Sequence, residues 1–286
     1  MQKQVRMAPI ETERQEAIRP RKRSRSLVGR RTRPQLSDLL LLLSAFLRRI
    51  IYRTPLYSLS LLGHAPTVIT VTPPDPLPGD ATRGRTILEG EFTFAGESVF
   101  GDDSLWSPSG VSDLWMEELH GFSWINDLHV VGSNAARLRA RALVTDWIIH
   151  HGRWSSIAWR SDVLGVRIAA WLGRYEFFCA SADEVFREKF FTSLNRQVKH
   201  LARTAIRETD GAHRFFAIKG LVYAGVCLPN GKETLAKGLQ FLGQEIQCQI
   251  LADGCHHERS PQLQLVLLRL FIDIRTTLIA GKQKVP

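Results

Sequence analysis

Between two strongly periodic segments lies the sequence Asp253-Gly254-Cys255-His256-His257-Glu258-Arg259-Ser260-Pro261. Asp253-Gly254 is typical of a helix end and Ser260-Pro261 of a helix start, because glycine accepts the left-handed conformation at a C-terminus and proline loses no hydrogen bond in a first turn. Two imidazoles, a carboxylate and a guanidinium therefore fall on a short loop between two helices. Because a rigid scaffold commonly presents its functional groups on short loops, this loop is the first candidate for function.

Apolar residues recur every three or four positions over much of the chain around this loop, which predicts amphipathic helices. The clearest pattern follows the loop, at Leu263, Leu267, Leu270 and Ile274. The predicted helices cover residues 134–150, 162–180, 183–207, 214–227, 232–251 and 261–280. Short connections make neighbouring helices antiparallel hairpins. Periodicity alone leaves three arrangements open, namely a bundle, an open solenoid and a closed α/α toroid.

The basic character of the chain belongs mainly to its N-terminal tail. The net charge is +10, but residues 1–36 carry eleven Lys or Arg against three Glu, which is +8, and the rest of the chain is close to neutral. With few large apolar residues, this tail is predicted to be disordered. Contact with an anionic surface and a purely solubilising extension both remain open for it. Because the charge is not spread over the folded part, it does not indicate a specific nucleic-acid site.

Residues 37–100 are predicted to form an amphipathic helix and a small β element, and residues 101–286 a helical domain. The apolar run at 39–51 breaks at Arg48-Arg49 after about nine residues, too few for a membrane span or a signal peptide. This helix either docks on the domain or lies on a membrane surface. Residues 68–72 predict a strand, and residues 86–100 predict one or two strands with a turn at Ala95-Gly96. The four cysteines are far apart and form no disulfide framework or metal-binding pair in the sequence.

Four motifs occur in a recognisable order. They are residues 119–128 (LHGFSWINDL), 159–173 (WRSDVLGVRIAAWLG), 220–225 (GLVYAG) and the 253–261 loop (DGCHHERSP). Together they resemble the helical part of the heparinase II/III-like polysaccharide lyases. Related lyases carry Tyr-His shortly after the Ser-Pro of the loop, where this chain has Leu263-Gln264, so the expected proton donor is not at that position.

The resemblance implies a mainly α fold, an incomplete α/α toroid of antiparallel helical hairpins. In the family a C-terminal β-sandwich follows the toroid and supplies a catalytic histidine. Because Pro286 comes just after the last predicted helix, this chain is expected to carry only the substrate-binding helical part. The resemblance further implies action on acidic, uronate-containing polysaccharides by β-elimination, without a cofactor. It also implies a location in the bacterial cell envelope or periplasm; with no convincing signal peptide, the cytoplasm or membrane periphery is the alternative.

The chemistry of β-elimination selects the candidate residues. One group must neutralise the uronate carboxylate, one must remove the neighbouring proton, and one must protonate the departing oxygen. His257 is the candidate base, since histidine titrates near neutral pH. His213 stands near the place of a family asparagine that neutralises the uronate, and His213 and His257 are the candidate catalytic residues. Substrate-binding roles are predicted for Arg167, Trp171, Arg214, His256, Glu258 and Arg259.

Each assignment has a structural alternative. Arg167 and Trp171 lie four residues apart on one helix face, where they either bind an acidic sugar or pack in the core. The loop side chains either act on substrate or form a solvated ion pair. A metal site built from His256, His257 and Glu258 is disfavoured because adjacent ligands fit one ion poorly, so no metal is predicted.

Two further functions compete with that of a lyase. One is a non-catalytic helical module that binds a glycan or a protein, which the missing tyrosine favours. The other is association with an anionic membrane surface through residues 1–53. The sequence does not predict an oligomeric state.

Overall fold

The computed structural model describes residues 36–101 and 105–286, and the side chains from residue 43 onward. The chain divides into two compact units, residues 1–45 and 46–286, and the arrangement below is that of the second unit. The elements are α1 Leu36–Arg53, α2 Pro55–Ser60, α3 Ala81–Glu89, β1 Glu91–Phe94, β2 Glu97–Phe100, α4 Asp113–Gly121, α5 Ile125–Val131, α6 Asn134–His151, α7 Ser161–Gly173, α8 Tyr175–Phe178, α9 Glu184–Thr204, α10 His213–Cys227, α11 Lys232–Gln249 and α12 Pro261–Ala280. Residues 1–35 of the predicted basic tail lie outside the described part.

All six helices predicted from periodicity are present, and one of them is divided. Helix α12 has the predicted bounds, and the side chain of Ser260 caps it by accepting a hydrogen bond from the amide of Leu263. The segment 162–180 forms α7 and α8, which meet at Arg174. The Arg174 guanidinium donates to Asn126 at 2.7 Å and forms an ion pair with Asp75. The helix breaks at Arg174, where these polar contacts are made. A pattern of apolar residues contains no information on such contacts, so the break was not predicted.

The predicted strand at 68–72 is wrong. The backbone amide of Thr70 donates to the carbonyl of Cys227 at 2.8 Å, and its hydroxyl donates to the same oxygen at 3.0 Å. This segment therefore satisfies the end of α10 instead of pairing with another strand.

The prediction of strands for residues 86–100 is correct only from residue 91 onward. Residues 86–89 belong to α3, which ends at Gly90 with a left-handed φ of 98°. Strands β1 and β2 then form an antiparallel hairpin with the predicted turn at Ala95-Gly96.

Helices α4, α7, α10 and α12 form an inner row of parallel helices. Asp162 and His213 meet in the first turns of α7 and α10, and Gly173 and Tyr223 approach each other towards their other ends. Phe215 of α10 contacts Phe271 of α12, and Lys219, further along α10, contacts Asp273, further along α12, so these two helices run in the same sense. The start of every inner helix therefore lies at the same end of the row.

Helices α6, α9 and α11 form an outer row that runs opposite to the inner one. Arg167 of α7 bonds Gln197 of α9, while Trp171, one turn later in α7, contacts Phe190, which is earlier in α9. This is an arrangement of antiparallel hairpins in two layers, as an α/α toroid requires. The described part of the chain buries six tryptophans in its interior, Trp106, Trp115, Trp124, Trp147, Trp159 and Trp171. Within the described part of the chain, no helix combines the length and apolar character needed to cross a bilayer.

Candidate functional site

A groove runs along the exposed face of the inner row. It consists of two adjoining cavities of about 390 and 170 Å³ that share Ser123, Val166, Lys219 and Asp273. Helices α4, α7, α10 and α12 all contribute side chains to the larger cavity. The first turns of α7 and α10 meet at one end of the groove.

A chain of ionic hydrogen bonds lies at that end. His213 Nδ1 is 2.7 Å from Asp162 Oδ2, and Arg160 binds both oxygens of the same carboxylate at 2.7 and 2.8 Å. A further nitrogen of Arg160 forms an ion pair with Glu117 at 2.8 Å. The side chain of His213 is 55% exposed, whereas that of Asp162 is only 6% exposed. An accessible imidazole is therefore held by a buried carboxylate.

The network shifts the pKa values of its members in opposite directions. The hydrogen bond to Asp162 raises the pKa of His213 above its usual value, although partial burial opposes this. Burial alone would raise the pKa of Asp162, but the hydrogen bonds from His213 and Arg160 outweigh it and lower that pKa to about 2. Asp162 is thus an anion at neutral pH, and it favours the protonated form of His213.

The other end of the groove contains more ion pairs. Lys219 binds Asp273 at 2.5 Å, and Arg174 pairs with Asp75. Arg269 of α12 is exposed in the larger cavity and has no ion-pair partner within the described residues. The described lining carries the acidic residues Asp75, Glu117, Glu118, Asp162 and Asp273 against the basic residues Arg174, Lys219 and Arg269. The groove therefore has no overall positive charge.

The prediction that Arg167 binds substrate is contradicted by its burial. Its guanidinium donates to Gln197 Oε1 at 2.8 Å and to the carbonyls of His120 and Ala158 at 2.7 and 2.8 Å. It also lies 4.0 Å from the ring centre of Trp147. With no exposed surface, Arg167 ties three helices and a loop together inside the core.

Trp171 is likewise a core residue. It is fully buried, and its ring contacts Trp147 at 5.5 Å and Phe122 at 5.4 Å between centroids. The spacing of Arg167 and Trp171 correctly placed both on one helix face, but that face points into the core. The substrate-binding role predicted for Trp171 is therefore wrong.

Arg214 and His256 belong to a hydrogen-bond network behind the groove. Arg214 binds Glu245 at 2.8 Å, and the same carboxylate accepts from Gln249 Nε2 at 2.6 Å. Gln249 Oε1 lies 2.9 Å from His256 Nε2, and Gln249 Nε2 also donates to the carbonyl of Gly211. Burial and the neighbouring His257 lower the pKa of His256. His256 is buried, which contradicts its predicted contact with substrate. The side chain of Arg214 is 32% exposed, and its substrate-binding role stays a prediction.

His257, Glu258 and Arg259 are exposed on the loop. Arg259 forms its ion pair with Asp253 at 2.5 Å, so the expected ion pair within the loop exists with a different acid from Glu258. None of the three lines the groove. A Cβ added to Gly211 would lie 3.9 Å from Glu258 Oε1, so the loop lies beside the segment that leads into His213. The functional roles of His257, Glu258 and Arg259 stay predictions.

Gln264 has a structural role at the position where related lyases are expected to carry Tyr-His. Its Oε1 accepts from the amide of His256 at 2.9 Å, and its Nε2 donates to the carbonyl of Gly254 at 3.2 Å. The side chain thus closes the loop onto the first turn of α12. The proton donor of an elimination is not provided here.

The donor atoms of His256, His257 and Glu258 lie within 4.8 Å of one another. Both ring nitrogens of His256 are already engaged, since Nε2 bonds Gln249 and Nδ1 accepts from the amide of Glu258 at 3.3 Å. A metal ion would have to displace one of these contacts. The prediction that no metal binds stays a prediction.

Sequence reasoning did not select Asp162, Arg160, Glu117, Lys219 or Asp273 as site residues. The sequence does show that Asp162 and His213 both lie at the start of a predicted helix, and both are in the first turns of helices in the structure. Recognising them as partners requires knowing that these two helices are parallel neighbours, which their separate sequences do not state.

Known proteins match this chain both in sequence and in fold. The family model described as Heparinase II/III N-terminus matches residues 99–284. FtsZ-localized protein C of Caulobacter vibrioides (strain NA1000 / CB15N) is 29% identical over 207 residues, which are 71% of this chain and 35% of that protein. Heparin-sulfate lyase of Bacteroides stercoris is 25% identical over 119 residues, which are 40% of this chain and 18% of that protein. The chain thus spans about a third or less of the length of these curated relatives.

A solved structure with the same fold is that of heparan sulfate lyase HepC from Pedobacter heparinus. It superimposes with a TM-score of 0.59 at 20% sequence identity, and the match covers 86% of this chain and 40% of that one. The prediction of a mainly α, incomplete α/α toroid is therefore confirmed.

Proposed function

This chain belongs to the family described as Heparinase II/III N-terminus, as its motifs predicted, and from this premise we propose that its inner groove binds a segment of acidic, uronate-containing polysaccharide as the substrate-binding part of a lyase. The observation that carries the proposal is the exposed imidazole of His213, held by buried Asp162 at one end of the groove. The residues that would form the site come from helices α7, α10 and α12.

His213 is suited to hold a carboxylate. Asp162 occupies its Nδ1, and its Nε2 has no hydrogen-bond partner within the described residues. The residue opens α10, where the helix dipole and the first backbone amides favour a negative group. A protonated imidazole in this position donates from Nε2 to the uronate carboxylate and makes the adjacent C–H more acidic.

Arg269 offers a second contact for the same ligand. It lies on α12 in the same cavity as His213, and no carboxylate of the described chain pairs with it. The remaining lining cations, Lys219 and Arg174, are neutralised by Asp273 and Asp75. Binding therefore depends on a few local contacts and not on a general attraction of polyanions.

The loop supplies the candidate base. His257 is exposed on the segment beside Gly211, two residues before His213. In β-elimination its imidazole accepts the C5 proton, and the carboxylate at C6 stabilises the resulting charge. The C4–O bond then breaks as that oxygen takes up a proton. No residue of the described chain is assigned as the donor of this last proton.

The proposal predicts that His213→Gln weakens binding of a short, unsulfated glucuronate oligosaccharide by at least about tenfold, since a charged hydrogen bond is lost. Because the pKa of His213 is raised, its charge is present below that pKa and is lost as the pH rises through it. Affinity of the unaltered chain should therefore increase as the pH falls through this range. Calorimetric titrations at several pH values measure both effects.

His150→Gln is the matched control. His150 is 49% exposed and also lies beside an aspartate, Asp146, but it belongs to the outer helix α6. This variant should keep the affinity and the pH dependence of the unaltered chain. Equal affinities for His213→Gln and the unaltered chain across the pH range would refute the proposed site.

A second candidate is a module that binds without cleaving. It is favoured by the match to FtsZ-localized protein C, which covers more of this chain than the match to the lyase does, and by the structural use of Gln264. New unsaturated uronate ends, formed by the chain but not by His213→Gln, would support the lyase. Binding with no such product would favour the module, and its location relative to FtsZ rings in cells would then be the next measurement.

A further inference from the structure

The segment 46–62 exposes seven large apolar side chains. In α1 these are Phe46, Leu47, Ile50 and Ile51, and in and after α2 they are Leu56, Leu59 and Leu62, each between 42% and 77% exposed. Scattered single apolar residues are ordinary on protein surfaces, but so many in one short segment are typical of an interaction surface.

One side of this segment packs against the rest of the helical unit, and the exposed apolar side chains lie on its other side. Tyr57 Oη is 2.6 Å from His200 Nδ1, and Lys199 Nζ donates to the carbonyl of Leu62 at 2.6 Å. Leu61 is buried at 2% exposure. One side of the segment is therefore already docked on α9, and the leucines of the other side remain free.

Two clefts continue this surface across the outer helices. A cleft of about 270 Å³ lies between the 52–62 segment, α9 and the residues that follow α6, and a cleft of about 730 Å³ lies between α6 and α9. Both are lined by Arg153 and Arg196, where they meet. The larger one also contains the exposed apolar residues Ile149 and Val185.

The clefts are cationic, unlike the inner groove. Their described lining includes Arg53, Arg153, Lys189 and Arg196, against one acidic residue, Glu188. None of these four cations forms an ion pair within the described residues, and the Nε of Arg196 is buried without a hydrogen-bond partner there. Unneutralised positive charge next to exposed apolar side chains calls for a ligand with both an anionic and an apolar part.

We propose that this outer patch, formed by the exposed apolar residues of 46–62 and by Arg53, Arg153, Lys189 and Arg196, docks on an anionic phospholipid surface. The apolar side chains enter the headgroup region while the cations bind lipid phosphates, as in amphipathic helices that lie in the plane of a membrane. Arg53 lies 5.6 Å from the ring centre of Trp154, which places an aromatic side chain of the kind found at membrane interfaces within the patch. The basic sequence of residues 1–36 adds +8 to the same end of the chain.

Sedimentation of the full chain with phospholipid vesicles tests the proposal. The chain should sediment with equimolar phosphatidylglycerol–phosphatidylcholine vesicles and not with pure phosphatidylcholine vesicles. The pair Leu56→Ser and Leu59→Ser should weaken binding by at least about tenfold because apolar burial is lost. The pair Arg153→Glu and Lys189→Glu should weaken it by a similar factor or more.

Two matched pairs separate the patch from general effects. Leu265→Ser and Leu268→Ser remove leucines of α12 that are about as exposed as Leu59, at 51% and 52%, and that line neither cleft. Lys232→Glu and Lys284→Glu make the same charge change at exposed lysines elsewhere. Both control pairs should bind vesicles like the unaltered chain.

Three results would overturn the proposal. The first is no sedimentation with anionic vesicles, which would leave a protein as the occupant of the patch. The second is binding that survives both patch variants but disappears when residues 1–35 are deleted, which would assign it to the tail. The third is an equal loss in the control pairs. Circular dichroism confirms that each surface variant remains folded.

Discussion

Arg167 shows how a residue suited to substrate binding can instead hold a core together. A buried guanidinium is tolerated only where its hydrogen bonds are satisfied, and this one has three short acceptors from α9, the end of α4 and the loop before α7. The facing ring of Trp147 adds a cation–π contact. Its fixed planar fork matches acceptors in different directions, which an ammonium group on a flexible stem cannot do.

We therefore expect Arg167→Lys to lower the free energy of unfolding by about 3 kcal/mol or more, because buried acceptors lose their donors. Urea unfolding followed by circular dichroism measures this. Arg207→Lys, at an exposed arginine, is the control and should change stability by less than about 0.5 kcal/mol. A normal stability together with weakened oligosaccharide binding would contradict the core assignment and restore the role in substrate binding.

At the residue scale the sequence predicted some members of the site but not their relationships. His213 was selected because it stands near the place of a family asparagine, and it does line the groove. Its partner Asp162 is 51 positions away, and the pairing depends on how α7 and α10 are aligned. The i,i+4 spacing of Arg167 and Trp171 correctly gave a shared face, but spacing carries no information on whether that face is buried or exposed.

At the scale of elements, the alignment of α7 and α10 is set by two glycines. The Cβ of an alanine at Gly165 would overlap the carbonyl of Phe216, and one at Gly220 would lie 2.5 Å from the Cα of Gly165. Close backbone approach at this point brings Asp162 to His213. The first glycine of the "GLVYAG" motif is therefore explained by packing within the inner row, and the last, Gly225, by close approach to Leu235 of the outer helix α11.

Gly165→Ala should consequently destabilise the fold and also disturb the site. We expect a loss of about 1–3 kcal/mol in the free energy of unfolding, since an added methyl group must push apart two helices. Gly243→Ala is the matched control: this glycine lies in α11 with open space around its Cβ position, so alanine should stabilise by about 0.5–1 kcal/mol. Chemical denaturation of both variants checks the opposite signs, and a stable Gly165→Ala chain would contradict the close approach.

Helices were easier to predict than strands for a physical reason. A periodic apolar face persists over several turns, so 261–280 was predicted with its final bounds. A five-residue β-branched run such as 68–72 has no partner strand in this fold, and its polar groups instead satisfy the end of α10. Whether such a run pairs as a strand or bonds to the end of a helix depends on the tertiary arrangement.

At the scale of the whole molecule, charge is distributed between two different surfaces. The inner groove holds most of its charges in ion pairs, such as Lys219 with Asp273 at 2.5 Å. The outer patch leaves Arg153, Lys189 and Arg196 unpaired within the described chain. A net charge of +10 therefore indicates nothing about the groove, which is why composition alone could not locate the ligand site.

This division predicts different responses to salt for the two proposed ligands. Between about 0.1 M and about 1 M salt the Debye length falls from about 10 Å to about 3 Å, which screens exposed charges much more than close or partly buried contacts. Vesicle binding by the outer patch should fall by at least about a hundredfold over this range, and oligosaccharide binding by the groove by less than about tenfold. Sedimentation and calorimetry at matched salt concentrations measure the two slopes.

Arg153→Glu with Lys189→Glu should flatten the vesicle slope and leave the oligosaccharide slope unchanged. If both ligands showed the same steep slope, and both lost it in this variant, the oligosaccharide would be binding to the outer patch, and the inner groove would have to be given up as its site.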